Sequence, residues 1–279
     1  MVKRTYHIPL SPGQRLRYVP FGDVHWDTPE CDRPRVKRFV KWVQEREAAG
    51  EMVRISGQGD YLDFGSPSER ALLTSGKLHE TTNAKLDRAH LRDLKELVEV
   101  LRPIKHTFLG LLTGHHEYVF TTRGVAGDWQ GRSSDRWLAH ELGCDYWGNG
   151  IAYIRMQFPP RNCKLDLLAW HGAGGAQTPG GRVQKRIRVS EIAPNAHLVV
   201  VGHDNAKLVY PRSGLDYDHG KIKRYVLGSG SFQRAYLEGE EAGYAERMGL
   251  IPADLGVVVV DIMLEQRGKQ WRVDFHASS

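Results

Sequence analysis

Five stretches of this chain place carboxylates or imidazoles beside glycine at the end of a short apolar run. They are Phe21-Gly22-Asp23-Val24-His25, Gly59-Asp60-Tyr61-Leu62-Asp63, Gly114-His115-His116-Glu117, Trp170-His171-Gly172 and Gly202-His203-Asp204-Asn205. Carboxylates and neutral imidazoles delivered by successive strand ends are the donors that a pair of divalent cations needs. A phosphate ester resists attack because its negative oxygens repel a nucleophile. Two cations roughly 3.5–4 Å apart neutralise that charge, generate hydroxide from water and stabilise the leaving oxygen. The sequence has no GxSxG elbow, P-loop or HExxH signature, so rival chemistries lack a motif.

These side chains need strands to carry them. Leu16 to Phe21 predicts a strand ending at Asp23, and Met52 to Ser56 one delivering Asp60. Thr107 to Leu112, Leu165 to Trp170 and His197 to Val201 predict three more, each running into histidine. Between them, helices are expected over about 34–49 and 83–102. The first buries Val36, Phe39, Val40 and Val43; the second buries Leu91, Leu94, Leu97, Val98 and Leu101. Ser66-Pro67-Ser68-Glu69 reads as a capping box, and Ser133 to Leu142 as a helix stopped by Gly143. Two closing strands are expected over 256–262 and 270–275, the second with a period of two. Strands alternating with helices indicate an α/β fold.

With 279 residues, 41% of them hydrophobic, the chain can bury a full core. It has no internal repeat, linker or composition break, so one domain over 1–279 is expected, with a helical insertion at about 65–106. No apolar stretch is long enough for a membrane span, and the start lacks the apolar core of a signal peptide. Three distant cysteines, Cys31, Cys144 and Cys163, read as reduced thiols, which points to a cytoplasmic protein with no membrane partner. A net charge of +6 suits an anionic substrate, a nucleic acid among the options. Interspersed acids and bases fit an ordinary soluble surface equally well.

The five blocks, taken in order, resemble the calcineurin-like metallophosphoesterase superfamily, whose pattern runs DxH, GDxxD, GNH(E/D), GH and GHxH. The match runs from about Leu16 to Asn205, and the detail around it resembles small phosphoesterases carried by phages and prophages. The resemblance implies a four-layer α/β/β/α sandwich around a dinuclear centre of divalent metal. Asp23 and His25 would bind the first ion, Asp60 would bridge, and His171 and His203 would bind the second. His116 would assist the leaving oxygen, with Glu117 orienting His116 or its loop and Asp63 supporting the bridging loop.

Two positions depart from the pattern. His115 stands where the family has asparagine; as a ligand it favours manganese, zinc, iron or nickel over magnesium, and the alternative has it turned aside. Asn205 stands where a histidine is expected, which predicts a looser first site, with Asp204 or His219 as substitutes. Arg182, Lys185 and Arg186 follow the glycine-rich loop after His171 and are candidates to hold substrate phosphate, a solvated helix face being the alternative. His79 and His90 could touch substrate, whereas His7, His106, His140, His197 and His276 read as packing or surface residues without partners. The expected function is therefore metal-dependent hydrolysis by metal-bound hydroxide, on a phosphodiester such as nucleic acid or a nucleotide. A phosphomonoester or phosphoprotein substrate, and a non-catalytic interaction module, are the alternatives.

Overall fold

The computed structural model describes residues 1–279 except 66, 74–77, 160–162, 176–177, 217–219, 240–243, 250, 253 and 269. The proposed capping serine and His219 lie outside the described residues. The strands are β1 (Val2–His7), β2 (Leu16–Phe21), β3 (Met52–Gly57), β4 (Phe108–Leu112), β5 (Asp145–Gly148), β6 (Ala152–Phe158) and β7 (Cys163–Trp170). They continue with β8 (Leu198–Val201), β9 (Lys207–Asp216), β10 (Gly220–Ser231), β11 (Gly256–Val257), β12 (Val259–Arg267) and β13 (Gln270–Ser278). The helices are α1 (Arg33–Ala48), α2 (Pro67–Leu73), α3 (Glu80–Leu101), α4 (Arg123–Ala126), α5 (Ser134–Leu142), α6 (Pro179–Ser190) and α7 (Tyr244–Arg247).

Among the described residues the strands form two sheets. One has the order β13-β12-β2-β3-β4-β5; the other runs β1-β6-β7-β8-β10-β11, with β9 beside β10. In the first, β2 to β5 are parallel and joined in turn by helical connections that cross back over the sheet. Covered on both faces, β4 is buried at every position and β2 at all but one, which is why both read as continuous apolar runs.

Alternation along the strands divides the core into layers. On β8, Leu198 and Val200 point inward with Leu165 and Leu167 of β7, meeting Leu16, Tyr18, Leu109 and Leu112 of the first sheet. Val199 and Val201 point outward to Val189 of α6. Helices α1, α3 and α5 cover the other outer face with Val36, Val43, Leu94, Leu97 and Leu138. Each such side chain contributes about 1.5–3 kcal/mol on burial. The result is the expected four-layer α/β/β/α sandwich.

Helix ends follow their local chemistry. The Asp32 side chain accepts the Arg35 N–H at the start of α1, and the Ser133 hydroxyl accepts the Arg136 N–H at the start of α5. Gly143 ends α5 at a φ of 69°, in the left-handed region. His79 caps α3 by accepting the Thr81 N–H.

His90 is buried, with ring centroids 4.2 Å from both Phe64 and Tyr118, a packing role beside the substrate contact that the sequence left open. Burial pushes its imidazole down to about 4, against the opposing pull of Asp93 and Asp87. A base depressed in the fold is held neutral there but takes up a proton near pH 6.5 when unfolded. Its contribution is complete above about pH 6.5 and is lost as pH falls from there towards 4, by up to about 3 kcal/mol. Urea unfolding at pH 7.5 and pH 4.5 should therefore show a larger loss for wild type than for His90→Phe. Equal losses would remove His90 as a source of acid sensitivity.

Candidate metal centre

All five blocks lie just beyond the C-terminal ends of strands: β2, β3 and β4 of the first sheet, β7 and β8 of the second. The backbone ties them together. Asp23 N–H donates to Gly59 O at 3.0 Å, and the N–H groups of Val24 and His25 donate to Asp60 O at 2.8 and 3.1 Å. Across the two sheets, His203 N–H donates to the Asp23 carboxylate, 3.1 Å from Oδ2, and Ser229 Oγ donates to the same oxygen at 3.1 Å. His116 N–H donates to Asp60 Oδ1 at 3.0 Å.

Among the described residues, the non-glycine positions with positive φ are Asp23, His25, Asp60, His203 and Asn205, at 48–73°. Every one is a candidate ligand from the sequence. Such backbone costs on the order of 1–3 kcal/mol per residue and persists only where surrounding structure over-determines it. Gly59 and Gly114 make the crossing possible. A Cβ on Gly59, whose φ is +97°, would stand 2.6 Å from Gly114 Cα and 2.7 Å from His171 Nδ1; one on Gly114 would collide with Asp60.

The donor atoms gather in three groups, each within 4.8 Å: Asp23, Asp60 and His171; His115, His171 and His203, which shares His171 with the first; and His25, Asp63 and His116. His171 Nδ1 donates to the Gln58 carbonyl at 2.6 Å, which leaves Nε2 facing Asp60 Oδ2 at 3.2 Å. His115 Nδ1 lies 3.0 Å from His203 Nδ1, so His115 is turned into the group rather than aside. Asp63 meets His116 Nδ1 at 2.5 Å and His25 Nδ1 at 3.4 Å.

Electrostatics separates these groups. Burial, with Asp60 beside it, pushes Asp23 up to about 6 against the pull of His171 and His25. Burial would raise Asp60 too, but His171, His25 and His116 more than offset it and hold it well below the usual carboxylate range. Burial opposes charge on His171 and His25, yet Asp60 and Asp63 prevail, lifting them to about 9 and 8. His203 goes the other way, down to about 3, by burial and the neighbouring His171 and His115. Two carboxylates and several imidazoles are thus crowded where a cation would relieve their mutual conflict.

The residues fit such an ion. His171 Nε2 and Asn205 Oδ1 are buried without a hydrogen-bond partner among the described residues. Nitrogen and oxygen donors around one tetrahedral ion at ~2.0–2.1 Å stand about 3.3 Å apart. The 3.0 and 3.2 Å spacings here are close to that.

The basic run on α6 needs correction. Arg186 is 0% exposed; it donates to the carbonyls of Arg182 and Val201 and to Asp204, so it is neither a solvated face nor available to substrate. Asp204 meets that arginine through Oδ1, and its Oδ2 is buried without a hydrogen-bond partner among the described residues. Lys185 remains nearer the surface, with Nζ donating to Gly174 O at 2.8 Å in the loop after His171. Arg182 opens the first turns of α6, its N–H donating to the Thr178 carbonyl. Glu117 lies close enough for its charge to act on buried Asp135, which accepts the Gly114 N–H. His197 Nδ1 accepts the Asp166 N–H, His106 pairs with Glu47 and His140 with Glu141, so these three have partners that the sequence did not suggest.

Arg186→Met should cost about 3–5 kcal/mol, because it strands a buried carboxylate. Arg186→Met/Asp204→Leu should recover most of that loss in urea unfolding. No recovery in the double variant would deny that the two charges stabilise each other.

The sequence also missed groups that orient the centre. Gln58 acts through its carbonyl, which any residue possesses, and Ser229 lies on β10, a strand not anticipated. No sequence signal marks either one.

No protein-family model matches this sequence, and no curated protein matches it. Solved structures give weak similarity. Vacuolar protein sorting 29 from Cryptosporidium parvum is 13% identical, with a TM-score of 0.37 over 96% of this chain and 100% of that one. A conserved protein from Streptococcus pneumoniae, described as a predicted phosphoesterase, is 12% identical, with a TM-score of 0.32 over 94% and 88%. The sulfate thiohydrolase SoxB of Thermus thermophilus is 11% identical, with a TM-score of 0.41 over 96% of this chain and 57% of that one. Among the described residues no helix is long and apolar enough to cross a membrane.

Proposed function

We propose that this chain is a metal-dependent phosphoesterase of the calcineurin-like type, acting on a phosphodiester. The observation that carries this reading is the sharing of donors. Asp60 and His171 form one group with Asp23, and His171 forms the next with His115 and His203. Two adjacent donor sets that meet at one residue, with a carboxylate between them, are what a dinuclear centre requires. When bound, divalent ions there supply charge neutralisation for phosphate and a nucleophile from water.

The chain's own residues do the rest. Asp60, with Oδ2 3.2 Å from the shared His171, is the carboxylate placed to bridge, while Gln58 and Ser229 hold His171 and Asp23 in place. His116, its Nδ1 fixed on Asp63, presents Nε2 for the proton that a departing alkoxide needs. Glu117 steadies the same loop. Lys185 and Arg182, beside the loop after His171, are placed to meet a phosphate's negative oxygens. The net charge of +6 favours a phosphodiester within a nucleotide or nucleic acid.

Chelator-stripped protein should regain hydrolysis of bis-p-nitrophenyl phosphate when manganese, zinc or nickel is added back, and regain less with magnesium. Turnover restricted to p-nitrophenyl phosphate would reassign the protein as a monoesterase. Metal binding with no turnover on either ester would make it a non-catalytic module.

A further inference from the structure

The two donor sets differ in kind. One side offers three imidazoles, His115, His171 and His203, whose ligand atoms lie within 4.8 Å of one another, with Asp60 Oδ2 3.2 Å from His171 Nε2. The other offers Asp23, His25 and, two residues past His203, the neutral amide of Asn205. Its carboxylate is oriented by the His203 N–H and Ser229 Oγ, which leaves the donor set itself as the difference between the two sides. Asn205 Nδ2 is tied to Gln233 Oε1 at 3.3 Å, leaving only a carbonyl oxygen, buried and without a partner among the described residues.

Resting on the metal-centre reading above, we propose that the centre is built unevenly. Asp60, His115, His171 and His203 form a nitrogen-rich site that takes one zinc-class ion first and tightly. The side of Asp23, His25 and Asn205 fills second and weakly.

Three imidazoles and one carboxylate suit zinc, cobalt, nickel or ferrous ions, whereas magnesium demands near-octahedral oxygen and holds its waters. The first site is also preorganised. His171 is fixed through Gln58, and His203 is locked by its own N–H on Asp23 and by the Arg186–Asp204 pair next to it. Outer partners of this kind are worth roughly 10–100-fold in metal affinity. On the second side an amide oxygen is a poor donor to transition metals, and His25 is shared with Asp63. The inference places the selectivity in His115, an exposed side chain at the mouth of the centre whose replacement leaves the core intact.

The test is a titration of chelator-stripped protein with cobalt(II), then zinc(II), in wild type, His115→Asn and His25→Asn. In wild type the first cobalt equivalent should give the intense visible absorption of a four-coordinate ion, displaced by zinc and unaffected by excess magnesium. His115→Asn should lose that absorption and weaken the first equivalent by more than about 10–100-fold. His25→Asn should keep the first equivalent and lose the second. Two equivalents of equal affinity in wild type, or a first equivalent unaltered by His115→Asn, would overturn the uneven centre while leaving a dinuclear one in place. Folded wild type that binds neither ion would instead overturn the metal-centre reading itself.

Discussion

Asp60→Asn is expected to reduce metal-dependent turnover by about 10³-fold or more, the rate equivalent of about 4 kcal/mol of lost charge stabilisation. The substitution keeps the shape of the side chain and leaves the Asp60 carbonyl to receive the N–H groups of Val24 and His25. The loop should therefore stand, and circular dichroism should match wild type. What disappears is the anion that faces His171 Nε2 at 3.2 Å and lies in the set with Asp23. Metal content after dialysis should fall along with the rate. An Asp60→Asn enzyme that turned over normally would remove the shared carboxylate from the mechanism.

His116→Ala should behave differently, keeping its metal but losing rate. Assistance by a positioned acid is typically worth ~10²–10⁴-fold. The size of the loss should depend on the leaving group. A p-nitrophenolate departs with little help, so the variant should be closest to wild type on bis-p-nitrophenyl phosphate; an alkyl ester, whose alkoxide needs a proton, should show the full deficit. Asp63 holds His116 Nδ1 at 2.5 Å, and the half-buried acid is kept well below the carboxylate range because His116 and His25 outweigh its burial. A uniform loss across leaving groups would point to substrate positioning instead.

Much of the sandwich was legible because each buried strand is a compact apolar run ending in glycine and a donor. β2 was read residue for residue, and Ser133 and Gly143 marked the ends of α5. Other elements gave weaker signals. β1 reads Val-Lys-Arg-Thr-Tyr-His and lies mostly exposed at a sheet edge, so it looks like a lead segment. The β9–β10 hairpin carries enough arginine and lysine to hide its period of two. Arg186 misled for another reason. It falls one turn before Val189 and Ser190 on the buried face of α6, but an arginine in a basic run looks solvated until its partner, Asp204, is brought beneath it by the chain crossing. Composition states how many charges exist; only the fold decides which one turns inward.

The three-imidazole set is drawn from both halves of the sandwich, with His115 on the loop after β4 and His171 and His203 on loops after β7 and β8. Between the sheets lie mostly apolar side chains, with Tyr6 of one sheet hydrogen-bonded to Leu109 O and Asp145 of the other. An ion seated among those three rings would be a rivet through both plates. It would fix their angle at the working edge.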